Sequence, residues 1–298
     1  MKIHLTYWKI GVSMTINMVK QYLGNRGFVS TIGYNENVDY LQMAYLQALN
    51  IKVTQSIENR YAVIIDEKTS QQIEDKHKEV FDSIVVIPGN WDFSREWEVR
   101  NYSPWKRSIK LDVDLIFTND IFQWWESFEN YKIRLTTTVE NYKGEIIKSR
   151  WHRKLFDNNL LPNIYTAFYY FRDGTESAEF FNLCAEISNN WDWFATEFLI
   201  KNNNLTPRDD EIFAIAAEIY GIEKCTLPDT AYPRFVHFKE ELNDLPSSKP
   251  WHEQLHVEFN NDLWIGHYPQ RLPIHYCSKT FATSELIKKY EQDYRKLS

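Results

Sequence analysis

The sequence predicts an α/β fold built on a mostly parallel sheet flanked by helices. Short unbroken apolar runs recur through its first half (YAVIID, DSIVVIP, SIKLDVDLIF), as in strands buried on both faces. Between them lie stretches with helical spacing, so strand and helix alternate as βαβ units require. A chain of 298 residues, 43% hydrophobic and 25% charged, suffices for one large α/β domain.

Taken in order, GFVSTIGYN reads as a first strand entering a Gly-Tyr-Asn turn. VDYLQMAYLQALNI follows, with Val38, Leu41, Ala44, Tyr45, Ala48 and Leu49 at helical spacing and Asn35 or Asn37 as N-cap. YAVIID is a second strand ending in Asp66, SQQIEDKHKEVF a second helix, DSIVVIP a third strand and SIKLDVDLIF a fourth. The second half is mixed. YKIRLTTTV and IIKSRWHRKLF read as strand and hairpin, and ESAEFFNLCAEISNNWDWFATEFL as a helix with Phe180, Phe181, Cys184 and Ile187 on one face. TPRDDEIFAIAAEIYG has legible ends: Thr206 as N-cap, Pro207 at N1, Asp209 at N3 and Gly221 as stop. RFVHF, DLWIGHY and LPIHY are late strands, and TSELIKKYEQDYRKL is a closing helix. With no repeat, low-complexity tract or long linker, residues 28–298 form one domain, and residues 1–27 are expected to be an N-terminal extension.

Composition removes several classes of function. A net charge of −7 counts against broad binding to a phosphate backbone and leaves only a local basic patch open. Cys184, Cys225 and Cys277 are odd in number and lack CxxC spacing, which argues for reduced thiols without a disulfide frame or zinc cluster. No apolar run approaches the ~20 residues of a membrane span, and the N-terminal stretch lacks the features of a secretory signal. The expected location is therefore the cytoplasm. No P-loop, Rossmann glycine fingerprint, G-x-S-x-G elbow or H-E-x-x-H helix is present. The 11 Trp, 18 Tyr and 18 Phe are core in the main, and surface rings among them suit stacking on sugars or bases.

The fourth strand carries the strongest chemical signal. Asp112 and Asp114 follow an apolar run, where an unpaired carboxylate costs several kcal/mol to bury, roughly. Residues i and i+2 of a strand share a face, so both carboxylates can converge on one hard cation that keeps positions open to a diphosphate. The plainer reading is that Asp114 caps a turn or pairs with Lys110. In open parallel sheets ligands bind beyond the carboxyl ends of the strands, where Asp66, Asp112 and Asp114 stand. A basic stretch, YKGEIIKSRWHRK, interleaves Arg150, Arg153 and Lys154 with Trp151, a pattern suited to a phosphate backbone beside a stacked base or to a solvated hairpin.

SPWKRSIKLDVDLIF resembles the P-[YF]-x-K-x-x-x-L-D-x-D pattern of nucleotide-sugar glycosyltransferases of the GT-A fold. NENVDYLQMAYLQALNIKVTQ, RKLFDNNLLPNIYTAFYYF and IGHYPQRLPIHYCSKTF are further similar to glycosyltransferases encoded by tailed phages, and the resemblance runs over residues 28–290, strong at Asp112–Asp114 and looser elsewhere. It implies a Rossmann-like nucleotide-sugar half over residues 28–120 and an acceptor-binding half over 121–298. It also implies Mn2+ or Mg2+ held by Asp112 and Asp114, with Asp112 reaching the ribose. Ile32, Gly33, Tyr34 and Asn35 would line the nucleoside, with Asp66 at the neighbouring strand end. Lys106 or Arg107 would face the phosphates. A late histidine would complete the metal shell beside a lysine on the diphosphate. His275 with Lys279 is preferred to His237 with Lys239 or Lys249, whose arrangement is distantly glycogenin-like but lacks that family's glycine and spacing. Asp210 would be the acceptor-side carboxylate, Asp209 being explained by the helix dipole. The implied activity is transfer of a sugar from a nucleoside-diphosphate sugar, a UDP-sugar for preference, to an acceptor hydroxyl. A hydroxymethylated or already glycosylated base of phage DNA, a modified cytosine, is the first acceptor to consider, held by Arg150, Trp151, Arg153 and Lys154. A surface glycan or protein acceptor, or a noncatalytic sugar-nucleotide-binding or carbohydrate-binding protein, stands as the alternative. No membrane and no obligate protein partner is implied.

Overall fold

The computed structural model describes residues 5–7, 26–55, 59–148, 152–199, 206–227, 232–259 and 262–297. Its first five strands are β1 (Leu5–Tyr7), β2 (Arg26–Ile32), β3 (Tyr61–Asp66), β4 (Ser83–Ile87) and β5 (Arg107–Leu111). β6 (Leu115–Ile116), β7 (Ile133–Thr136), β8 (Thr138–Glu140) and β9 (Tyr165–Arg172) follow. The last are β10 (Arg234–His237), β11 (Val257–Phe259), β12 (Leu263–Ile265), β13 (Tyr268–Pro269) and β14 (Ile274–His275). The main sheet runs β1-β4-β3-β2-β5-β9-β7, with the first five strands in that order parallel, β9 antiparallel to β5, and edge strand β7 antiparallel to β9. A smaller sheet, β6-β14-β10-β8, and a three-stranded one, β11-β12-β13, make the mixed second half.

Alternation explains how continuous apolar runs serve two faces at once. Phe28, Val63, Ile65, Ile84 and Ile109 join a core with the Tyr40–Thr54 helix and with Leu286, Ile287 and Tyr290 of the Ser284–Leu297 helix. Their neighbours Val29, Ala62, Ile64, Val85 and Ile87 join a second core with Phe180, Phe181, Cys184 and Ile187, and with Ile212 to Ala217. The four expected strands and the closing helix are thus present, in a sheet that is parallel for most of its width.

Several local expectations give way to side-chain chemistry. The Tyr40–Thr54 helix is capped by Asp39, whose carboxylate accepts from the Gln42 amide at 2.8 Å. Asn35 instead closes the preceding turn, accepting from the Asn37 and Val38 amides. The helix expected over residues 176–199 breaks at Asn190 into Thr175–Asn189 and Trp191–Phe198. Asp209 opens its helix at N1, with Arg208 as N-cap, so Thr206 lies outside it; Gly221 does end it. The hairpin expected over IIKSRWHRKLF is not formed at its end, where Lys154–Asn159 is helical. Of the expected N-terminal extension, Leu5–Tyr7 adds an edge strand to the main sheet and Arg26 begins β2.

Candidate active site

The site grows from the carboxyl end of β5. Asp112 and Asp114 lie in the turn between β5 and β6, and that turn is fixed from behind by the Tyr40–Thr54 helix. Gln47, fully buried, donates to the Asp112 and Leu115 carbonyls at 2.6 and 2.7 Å, and Asn50 makes both backbone hydrogen bonds of Phe117. Gln47 and Asn50 carry no local signal in the sequence, because their partners are more than sixty residues away.

Positive groups meet both carboxylates. Lys110, also fully buried, places its ammonium 2.6 Å from Asp112 Oδ1 and 3.0 Å from Glu96 Oε2. Glu96 also accepts from the Thr31 hydroxyl. Asp114, 4% exposed, meets Lys279 Nζ at 2.5 Å and His275 Nε2 at 3.0 Å. Burial alone raises a carboxyl, but the charges of His275 and Lys279 and their hydrogen bonds outweigh it and hold Asp114 far below the usual carboxylate range. His275 responds in kind: burial favours its neutral form, yet Asp114 raises its pKa above the ordinary value. The expected pairing of Asp114 with Lys110 is not found; Lys110 serves Asp112.

A cavity of about 460 Å³ opens in front of these groups, lined by Ile32, Gly33, Tyr34 and Asn35 from one side and Asp112, Asp114, His275 and Lys279 from the other. Asp66 shapes this cavity without lining it. Its carboxylate accepts from the Tyr34 and Thr69 amides at 2.9 and 2.7 Å, which fixes the turn after β2 and caps the Glu67–Ser70 helix. One face of Tyr34 is covered by the Lys68 ammonium, 3.7 Å from the ring centre. Gly33 is hemmed in by backbone, since a Cβ there would lie 2.5 Å from the Trp91 carbonyl oxygen. Gly33→Ala is therefore expected to cost about 1–3 kcal/mol, read as a lower denaturant midpoint; an unchanged midpoint would show that the Trp91 wall yields freely.

A second cavity, about 310 Å³, adjoins the first and shares Asp112, Lys239 and His275 with it. Its floor is acidic. Asp210 accepts from Arg153 at 2.5 Å and from the Thr166 amide and hydroxyl at 2.8 and 2.7 Å. Burial raises its carboxyl, but Arg153 and Thr166 more than offset this and lower it. Asp209 Oδ2 lies 2.8 Å from the same Thr166 oxygen, whose one proton serves Asp210, and it has no cation in hydrogen-bond contact among the described residues. Burial first, then the charges of Asp210 and Asp112, push its carboxyl up to about 7. Glu211 behind them is also raised to about 7, mainly by burial.

The structure thus brings together Ile32, Gly33, Tyr34, Asn35, Asp112, Asp114, His275 and Lys279 in one cavity, and His237, Asp209 and Asp210 in the next. It does not bring Lys106 and Arg107 there. Arg107 opens β5 at the end opposite Asp112 and pairs with Glu129, and the Lys106 carbonyl accepts from the Asp173 amide. Arg153, expected at an acceptor's phosphates, is turned inward onto Asp210 and lies against the Phe156 and Tyr165 rings. Lys154 is exposed, whereas Arg150 and Trp151 lie outside the described residues. Glu96, Lys110 and Thr166 were unmarked as site residues in the sequence; a lysine inside an apolar strand was the available signal for the first two.

His237 and His275 are register partners on parallel strands, and their Nδ1 atoms are 3.2 Å apart. Cys277 Sγ stands 3.9 Å from His237 Nδ1. The sequence spacing gave no hint of this grouping, because only the pairing of β10 with β14 joins residues forty positions apart.

No family model and no curated protein matches this sequence. Among the solved structures similar to it are several glycosyltransferases. One is mouse xyloside xylosyltransferase 1 in its apo form, with 12% identity and a TM-score of 0.43 over 68% of this chain and 84% of that one. Another is the glycosyltransferase GlyE of Streptococcus pneumoniae TIGR4, with 12% identity and a TM-score of 0.43 over 91% of this chain and 61% of that one. A third is the bifunctional WbbM, with 8% identity and a TM-score of 0.44 over 72% of this chain and 40% of that one. Among the described residues, no helix is long and apolar enough to cross a membrane.

Proposed function

We propose that the chain is a metal-dependent glycosyltransferase of GT-A type, which moves a sugar from a nucleoside-diphosphate donor to an acceptor hydroxyl. The observation that carries the proposal is the pair of adjoining cavities sharing Asp112, Lys239 and His275, one walled by Asp114 and Lys279 and the other by Asp209 and Asp210. One cavity has the groups a diphosphate needs, and the other has a carboxylate suited to an acceptor proton.

The residues fit a hard divalent cation. Ligand atoms of Asp112, Asp114 and His275 lie within 4.8 Å of one another, a donor set of carboxylate oxygen and imidazole that suits Mn2+ or Mg2+. The Lys279 ammonium on Asp114 is itself a stand-in: the protein already stabilises a positive charge at that point. When bound, the ion supplies charge neutralisation for the departing diphosphate. Lys279 and Lys239 add fixed positive charge at the same mouth. Gly33 and Tyr34 line the first cavity, where the Tyr34 ring is a surface for a base, and UDP is the donor nucleotide we favour. Lys106 and Arg107 have no part in this reading, and Asp66 acts only through the turn.

On the acceptor side the two aspartates divide the work. Asp210, held by Arg153 and Thr166, is a positioning group. Asp209, raised to about 7, is matched to accept the hydroxyl proton near neutral pH as the oxygen bonds to the sugar and the sugar–phosphate bond breaks. The rate of transfer is therefore expected to rise with pH up to about 7 and then level. Asp209→Asn should remove that limb, and Glu211→Gln should leave it. A limb that survives in Asp209→Asn would take the role from Asp209.

The acceptor reading is narrower than the sequence suggested. With Arg153 committed to Asp210, it leaves the set of cations offered to a DNA phosphate. Slow release of nucleoside diphosphate from the donor, dependent on manganese and lost in Asp114→Asn, tests the enzyme itself. Competition by glucosylatable hydroxymethylcytosine DNA against a free glycan then tests the acceptor. Absence of any manganese-dependent release would favour the noncatalytic sugar-nucleotide-binding alternative.

A further inference from the structure

We infer that His237, His275 and Cys277 form a binding site for a soft metal ion of the zinc class, distinct from the hard-cation position at Asp112 and Asp114. The three ligand atoms lie within 4.8 Å of one another. Two edges of the group are 3.2 Å between the imidazole Nδ1 atoms and 3.9 Å from the Cys277 thiol to His237 Nδ1. Tetrahedral zinc with bonds of about 2.0–2.1 Å to nitrogen and about 2.3 Å to sulfur has edges near 3.3 and 3.6 Å. The site is therefore nearly preformed. Both histidines sit on paired strands in register, which is a rigid mounting.

Two further observations point to a ligand. His275 Nε2 faces Asp114 Oδ1 at 3.0 Å, leaving Nδ1 toward His237. A carboxylate on the far nitrogen is the usual support of a metal-bound imidazole, fixing its tautomer and raising its basicity. Cys277 occupies the left-handed region at φ 54°, which non-glycine residues seldom adopt, and its thiol nevertheless stays beside the imidazoles. Cys277 and His275 also line the first cavity, so a fourth position is open to water or an exchangeable ligand. Two imidazoles with a thiolate select zinc over manganese or magnesium.

The inference has a consequence for the proposed enzyme, and that consequence rests on the reading above. A neutral imidazole has one lone pair. With Nδ1 on zinc, Nε2 carries the proton and turns it to Asp114, so the hard-cation position loses its nitrogen ligand. Zinc would then antagonise manganese.

Cobalt titration of the purified full chain tests the site without reference to activity. One equivalent is expected to bind with a thiolate-to-cobalt charge-transfer band, absent in Cys277→Ser and retained in Asp112→Asn. Zinc bound to the wild type should resist excess manganese, and Cys277→Ser should weaken it by at least about 10²-fold, the upper end of what loss of a mere supporting contact costs. Circular dichroism of each variant separates loss of a ligand from loss of fold, and the wild-type band and zinc retention do not depend on any variant. No band, a band unchanged in Cys277→Ser, or ready displacement of zinc by manganese would overturn the site. Cobalt that binds without the band and is lost in Asp112→Asn would overturn it too, while leaving the hard-cation position standing.

Discussion

Asp114→Asn is expected to lower donor turnover by about 10²–10³-fold or more, the scale on which one preorganised electrostatic group acts in a dry site. It should also destabilise the fold. Two carboxylates met in sequence suggest mutual repulsion that an amide would relieve, but the structure reverses that expectation, because Asp114 is paired with Lys279 and His275 on its two oxygens. An amide presents one acceptor where two are in use, so about 1–3 kcal/mol of stability should go with it. The pH dependence carries a sign. Asp114 has a depressed pKa in the folded chain, so its contribution is present above about pH 4 and lost as pH falls through and below the ordinary carboxylate range. His275 has a raised one, so its share is full below about pH 6.5 and lost as pH rises through its folded value. The gap between wild type and variant should be widest between those limits and should close in acid. Metal-free melts across pH measure it, and a gap independent of pH would sink the pairing as its cause.

Lys110→Met is expected to be the most damaging single change to stability, about 3–5 kcal/mol, the usual cost of leaving a buried charge without its partner. The stranded charge is Glu96, 3% exposed and carrying one oxygen with no hydrogen-bond partner besides its ion pair with Lys110. Burial, the largest influence, already raises the Glu96 carboxyl despite Lys110. A carboxyl raised in the folded state holds its proton more tightly there, so the penalty in the variant should grow as pH rises above about 4.3 and shrink below it. Adding Glu96→Gln should recover much of the loss, because the amide still accepts from Thr31 and removes the charge. Denaturant midpoints of the two single variants and the double variant decide it. A double variant no better than Lys110→Met would place the damage in packing rather than in charge.

The strands and the carboxylate pair were legible because both write themselves locally. A short apolar run bounded by turns needs only its own residues, and two acids spaced by one residue at its end violate the pattern visibly. What escaped was non-local or two-sided. The aromatic run of β9 alternates nothing, being buried on both faces, and so gave no period to read. Arg153 looked like one member of a basic patch, whereas its nearest carboxylate lies fifty-seven positions on. Asp209 seemed explained by a helix dipole and Asp210 seemed unexplained; the fold gives Asp210 an ion pair and leaves Asp209 the carboxyl with the raised pKa. Lys106 and Arg107 lay close to Asp112 in sequence, but a strand carries its two ends apart by about 3.3 Å per residue.

The grip of Gln47 and Asn50 on the turn from Asp112 to Phe117 bears on when the site comes into being. Those hydrogen bonds join positions 65 to 68 residues apart, so closing them requires a long stretch of chain already to be gathered in. The carboxylate turn is therefore a product of cooperative folding rather than of local preference, and a chain in which the Tyr40–Thr54 helix has not docked on the sheet has the two aspartates without their arrangement. Assembly of the Asp112–Asp114 turn and acquisition of the native core become, for this chain, one event in time.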